Sequence, residues 1–289
     1  MTVDTTTDLV ETEEIHHSDT GTESSTLARA RRVAFPLVAV VTLVLAGVML
    51  GGELLLAFTG WRTDMGIHQV HDMTIFPMLW LAVLVPVATL LYRPRERVTT
   101  VLAPLLFLAP VAAFALAVDS PIAMLPLVFG VLGLVLVALH PAGRSTFEFD
   151  RVARPSRLLA GLVVLASVPL VVYAADQVVR QVTLADDHVL FAHYGAMATA
   201  SVYVLVMAAL ATVRERDWRF AAWSAGAVAV LLGVTSLAFT AESSAGPLWG
   251  GLAVSWGLVF VAVAEYERRE AETEVAGAVE RESEETTAV

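Results

Sequence analysis

The sequence predicts an all-α integral membrane protein. Its eight transmembrane helices form two tandem parallel four-helix repeats, with a pseudo-two-fold axis along the membrane normal. Three observations carry this. Hydrophobic residues make up 57% of the 289, more than an ordinary soluble domain holds. Polar landmarks recur at a nearly constant offset of 121 to 126 residues: Glu53 with Asp176, His71 with His193, Arg93 with Arg214, Asp119 with Glu242, Pro121 with Pro247. An offset that persists along the whole body marks a tandem duplication. Finally, there is no lysine, and threading the apolar segments with both termini inside puts 16 of the 18 arginines on the inner side, leaving Arg62 and Arg180 outside. Basic residues collect on the cytoplasmic side of a bilayer, so the split predicts a cell-membrane protein with cytoplasmic termini.

A span needs about 20 apolar residues. Residues 1–28 read as a disordered acidic tail. The first repeat, 29–150, holds spans at about 33–58, 70–92, 98–118 and 121–140. The first follows Arg29, Arg31 and Arg32. The second ends at Arg93-Pro-Arg-Glu-Arg97, and its Pro77 and Pro86 predict a kink. Ser120 and Pro121 read as N-cap and first turn of the fourth. The second repeat, 151–268, holds spans at about 158–179, 189–213, 220–241 and 247–265, with Asp186 and Asp187 as N-cap residues of the sixth. Residues 269–289 read as a second disordered acidic tail. Four spans is an even number, so both copies insert with the same orientation and the axis stands normal to the membrane. Gly47 with Gly51, and Gly246 with Gly250, predict close helix approach.

The net charge of −11 belongs to the tails. Residues 1–28 carry seven acids and 265–289 carry nine, whereas 29–264 carry 15 Arg against 13 acids. Such polar stretches bury too little apolar area to fold alone. Zero cysteine excludes disulfides, thiolate metal sites and iron–sulfur clusters. Absence of lysine excludes a retinal Schiff base. No phosphate loop, nucleophile elbow or zincin motif is present. The inner arginines follow topology, so lipid is the expected partner and nucleic acid is not. Nothing here specifies an enzyme.

Rise along the helices places one group of polar residues together. Glu53, His71, Asp119, Asp176, His193 and Glu242 each lie about 29–35 Å from the arginines that bound their spans, at 1.5 Å per residue. All six therefore sit near the outer edge of the hydrocarbon, with His68 and His188 slightly further out. His68 and His71 are three apart and share a helix face. Imidazole and carboxylate together suit a divalent metal ion, and two facing histidines suit haem b. The expected ligands are His71, His193, His68 and His188. Glu53, Asp176, Asp119 and Glu242 are the expected outer partners. The competing reading is that each residue only solvates a helix end.

A histidine at the outer start of the second and sixth spans, in a tandem four-helix plan, resembles the haem A synthases and, more loosely, four-helix b-type cytochromes. The resemblance implies haem between His71 and His193. It stops at the motif: where a Glu-x-x-His-Arg pattern would stand, the chain reads Gly66-Ile-His68-Gln-Val-His71-Asp72. The expected function is a membrane binding or redox component. A permease using the repeat interface, or an accessory subunit of a membrane complex, remains the alternative. Polar residues in mid-span are sparse and uncharged, which argues against ion-coupled transport.

Overall fold

The computed structural model describes residues 20–147, 155–213, 216–240 and 243–287, and among these every regular element is helical. In chain order they are α1 (Thr20–Met49), α2 (Gly51–Thr59), α3 (Gly66–Leu90), α4 (Thr100–Ala117), α5 (Met124–Leu139), α6 (Arg157–Thr183), α7 (Asp187–Leu190), α8 (His193–Val213), α9 (Trp218–Ala238) and α10 (Gly246–Thr287). Seven described helices are long and apolar enough to cross a bilayer: α1, α3, α4, α6, α8, α9 and α10. This is a membrane protein.

The segment expected as the fourth span is shorter. Its helix, α5, has 16 residues, about 24 Å at 1.5 Å per residue. Ser120 accepts only a long contact, 3.4 Å, from the Ile122 amide, and turns precede the helix until Met124. Asp186, expected to cap the sixth span, caps a separate turn instead: its carboxylate accepts from the Val189 amide at 3.0 Å and opens α7, while the spanning helix α8 begins at His193. The proline kink of the second span is a turn of π-helix at Trp80–Leu84. Pro86 has no amide hydrogen, and its ring would strike the Ala82 carbonyl in a regular helix; the wider turn moves that carbonyl aside.

Of the two expected tails, residues 20–28 and 269–287 are helical, while 1–19 and 288–289 lie outside the described residues. Each stretch extends a helix already anchored by packing, so nucleation is over and only propagation is needed. On α10 the Arg269–Glu265 pair at 3.7 Å and the Tyr266–Glu270 bond at 2.7 Å, both four apart, support it.

Helices α3, α8 and α9 form the centre, while α1, α6 and α10 turn apolar faces outward, as lipid contact requires. Small residues let the central backbones close up. Alanines 196, 200, 208 and 211 of α8 and 221, 222, 225 and 229 of α9 belong to one buried cluster. Between α9 and α10 glycines meet directly. A Cβ on Gly233 would lie 2.5 Å from the Gly250 carbonyl oxygen, and one on Gly226 would lie 2.7 Å from that of Gly257. Of the four glycines expected at close approaches, Gly250 alone makes one; Gly47, Gly51 and Gly246 face open space.

Candidate functional site: a cluster of four imidazoles

Two irregular helix starts bring the histidines together. In the first half, Gly66 takes a left-handed conformation (φ 61) and opens the single 3-10 turn that carries His68. Gln69 ties this turn down by donating to the Gly60 carbonyl at 3.0 Å and accepting from the Met65 amide at 2.8 Å. His71 follows on the first α-turn. In the second half, α7 carries His188 for a single turn, and Ala192, fully buried at φ 55, reverses the chain so that His193 opens α8. A left-handed alanine costs roughly 1–2 kcal/mol. Strain of this kind gathers at functional sites.

The four rings interleave. His68 lies 4.7 Å from His188 and 5.0 Å from His193 between ring centroids, and His71 lies 4.5 Å from His188 and 5.3 Å from His193. Each histidine of one half is therefore wedged between both histidines of the other. Nδ1 of His68 stands 3.2 Å from Nδ1 of His193. His71 is inaccessible to solvent and His188 is 3% exposed. The Tyr194 ring closes one side, 5.4 Å from His71.

Hydrogen bonds determine the tautomer of His71. Asp176 presents an acceptor to the Gln177 side-chain amide at 3.1 Å, so Gln177 turns its amide nitrogen outward and its Oε1 inward. That oxygen accepts from the Ser243 hydroxyl at 2.7 Å. The hydroxyl has one hydrogen and has used it, so His71 Nε2, 2.9 Å away, must donate to Ser243 Oγ. Nδ1 of His71 is then a bare lone pair, buried and without a hydrogen-bond partner among the described residues. Ser243 is itself held at φ 67, with its carbonyl accepting from Tyr173 at 2.6 Å.

The other rings face oxygen atoms as well. His188 Nε2 donates to the Ile67 carbonyl at 3.1 Å, while its Nδ1 faces Asp186 at 3.6 Å. His193 Nε2 faces Asp72 at 3.8 Å. Burial alone would raise the Asp186 carboxyl, but the Val189 amide, the Tyr194 hydroxyl and His188 together hold it below the usual range.

All four expected ligand histidines, His68, His71, His188 and His193, thus come together. The expected carboxylates do so less well. Asp176 reaches the cluster only through Gln177 and Ser243, and is itself exposed and paired with Arg180 at 2.8 Å. Asp119 is exposed at a turn (φ 50), and Glu53 is half-buried on α2; no described hydrogen bond links either to an imidazole. Glu242 lies outside the described residues. The groups that do touch the rings, Ser243, Asp72, Asp186 and Tyr194, went unassigned as ring partners in the sequence. Two clues were available: Gln177 adjoins Asp176 and Ser243 adjoins Glu242, so the residue that faces the rings stands one position away from the expected one.

Among the described residues, no three His, Asp or Glu side chains already stand with donor atoms around one point. An ion would have to draw the rings inward by side-chain rotation. No protein-family model matches this chain, and neither do any curated protein or solved structure.

Proposed function

We propose that the protein binds a divalent first-row transition metal ion at the four-imidazole cluster near the outer membrane face. The observation that carries this is the buried Nδ1 of His71, which has no hydrogen-bond partner among the described residues and whose opposite nitrogen is held as a donor. Metal-bound imidazoles have that arrangement: one nitrogen on the ion, the other donating to an oxygen. Dimensions support it. Two nitrogens on one tetrahedral ion, each at about 2.0–2.1 Å, stand about 3.4 Å apart, close to the 3.2 Å between His68 and His193. An all-imidazole set suits zinc, copper, iron or nickel.

Haem fits the geometry poorly. Axial imidazoles point nitrogens at the iron from opposite sides of a porphyrin. His71 and His193 instead lie face to face, 21° from parallel, with centroids 5.3 Å apart. The other two histidines occupy the flanks. A small ion is therefore the better reading, and the role a binding or electron-carrying one.

The reading includes eight spans in two parallel repeats, with both termini cytoplasmic in the cell membrane. Helix pairing supports the pseudo-two-fold. The contacts of α4 with α8 and of α9 with α3 are those its rotation would exchange, as are α5 with α1 and α10 with α6, while α3 meets α8 on the axis. Reporter fusions at residue 289 and in the 180–187 loop test the topology; the same sidedness for both would overturn it.

The functional test is metal analysis with an absorption spectrum on protein purified in detergent and then loaded with zinc or cobalt. One ion per chain, lost in His71→Ala and His193→Ala, is the expected result. A Soret band, or no metal after loading, would sink the proposal.

A further inference from the structure

A second polar assembly lies at the other end of the bundle, where α1, the end of α3 with the turn that follows it, and Pro141 just beyond α5 border an open cavity of about 590 Å³. Arg31, Arg93 and Arg95 line it, with Arg32, which has a partner of its own, and one described carboxylate, Glu96. Glu96 is 3.8 Å from Arg93 and both side chains are more than 60% exposed, too loose a pair to neutralise the mouth. The wall is apolar: Phe35 and Leu90, both buried, line it.

Arginines at this end follow from topology alone. Their convergence on one cavity does not. Arg93 sits at φ 51 immediately before Pro94, a conformation disfavoured both by its Cβ and by the following proline ring. The strained residue leads into the 3-10 turn Pro94–Glu96, which places Arg93 and Arg95 at the mouth. Arg31 is approached from the other side by the turn that holds Gly143. Gly143 has φ +60, and a Cβ there would stand 3.2 Å from Arg31 Nη1. Behind the wall, His140 meets Phe35 edge-on at 5.4 Å. Its Nδ1 accepts from the Ala142 amide at 3.3 Å and the Thr146 hydroxyl at 3.0 Å, so the ring is neutral and adds no charge.

The cavity also adjoins the outward surface of the bundle. Val33 and Leu37 on α1, and Leu91 and Tyr92 at the end of α3, are 43–67% exposed. A soluble anion would use only the guanidiniums. An amphiphile with a charged head would use both the guanidiniums and these apolar faces. We propose that this cavity holds the phosphate head group of an anionic phospholipid, with its acyl chains along the outward faces of α1 and α3. Basic pockets between spans recognise such head groups. The site is independent of the imidazole cluster and stands whether or not a metal binds there.

The test is thermal unfolding of the full-length protein in neutral detergent, titrated with dioleoylphosphatidylglycerol, dioleoylphosphatidylcholine or sodium phosphate. Phosphatidylglycerol should stabilise saturably, and the other two should not at equal concentration. Arg31→Gln with Arg95→Gln should weaken the response about 25-fold, at about fivefold per guanidinium near a charged lipid. Arg157→Gln, an arginine that does not line the cavity, should change nothing. Arg31 and Arg95 are exposed, so the lipid-free melting temperature of the double variant should match the parent, separating lost binding from lost fold. Equal stabilisation by phosphatidylcholine, or full response in the double variant, would overturn the proposal. Saturation by phosphate alone would make this a soluble-anion site and overturn the lipid reading. The acidic residues 1–28 are the competing occupant: if deleting them tightens phosphatidylglycerol binding more than tenfold, the cavity belongs to the tail and the proposal fails.

Discussion

Ser243→Ala removes a single oxygen that completes two buried hydrogen bonds, from His71 Nε2 at 2.9 Å and to Gln177 Oε1 at 2.7 Å. Both partners are left without their bond, His71 at 0% and Gln177 at 1% exposure. An unsatisfied buried polar group costs about 1–3 kcal/mol, so the loss of stability should fall between about 2 and 6 kcal/mol, at the lower end if water enters the space. The metal consequence is separate. With no acceptor at Nε2, nothing holds His71 in the tautomer that bares Nδ1, and affinity should fall about 10–100-fold. Cobalt titration followed by its visible absorption reads this directly. The ion-to-chain ratio should stay the same while the midpoint moves. Thr235→Val is the control, because Thr235 bonds Thr74 at 3.1 Å and no imidazole among the described contacts; it should lower stability and leave the cobalt midpoint in place. If Ser243→Ala binds cobalt within twofold of the parent, or if both variants shift it alike, the tautomer argument is wrong.

Asp217 accepts from the Thr99 and Thr100 amides, the Thr100 hydroxyl and Arg97, at 2.9, 2.6, 2.7 and 3.3 Å, and so ties the α3–α4 loop to α9. Asp217→Ala should lower stability by about 3 kcal/mol or more in thermal unfolding, since the donors lose a charged acceptor; a loss under about 1 kcal/mol would contradict this. Gly233→Ala drives a methyl into the Gly250 carbonyl and should cost about 1–3 kcal/mol, whereas Gly251→Ala meets open space and should be neutral. Asp186 has its carboxyl held down in the fold. Its contribution is present above its ordinary value, about 3.9, and is lost as pH falls through the lower folded value. Asp186→Ala should therefore weaken the fold near neutrality by about 1 kcal/mol as a lost N-cap and flatten the acid limb of the stability profile; an unchanged acid limb would contradict the assignment.

The depth of the imidazole site was legible before any coordinates because a span has a fixed rise. Twenty-one or 22 residues between an arginine at one end of a span and a histidine at the other leave little choice of level. Azimuth was not. Asp176 and Gln177 share a depth, but a helix turns about 100° per residue, and the amide faced inward while the carboxylate faced Arg180. The same limit explains Gly250, whose contact is with Gly233 on another helix; a spacing within one helix does not say which neighbour it meets.

Composition, the recurring landmarks and the arginine asymmetry by themselves pointed to a membrane protein with four histidines near one end of its spans. Those properties are one-dimensional: they depend on hydrophobic length and on charge along the chain. Only the tertiary structure decided that the histidines of the two halves interleave, that Ala192 and Ser243 adopt left-handed conformations to bring them there, and that Ser243 and Gln177 bare one nitrogen of His71. These follow from contacts between segments 66 to 172 residues apart, where packing of central helices selects one set of neighbours from many with equally apolar faces.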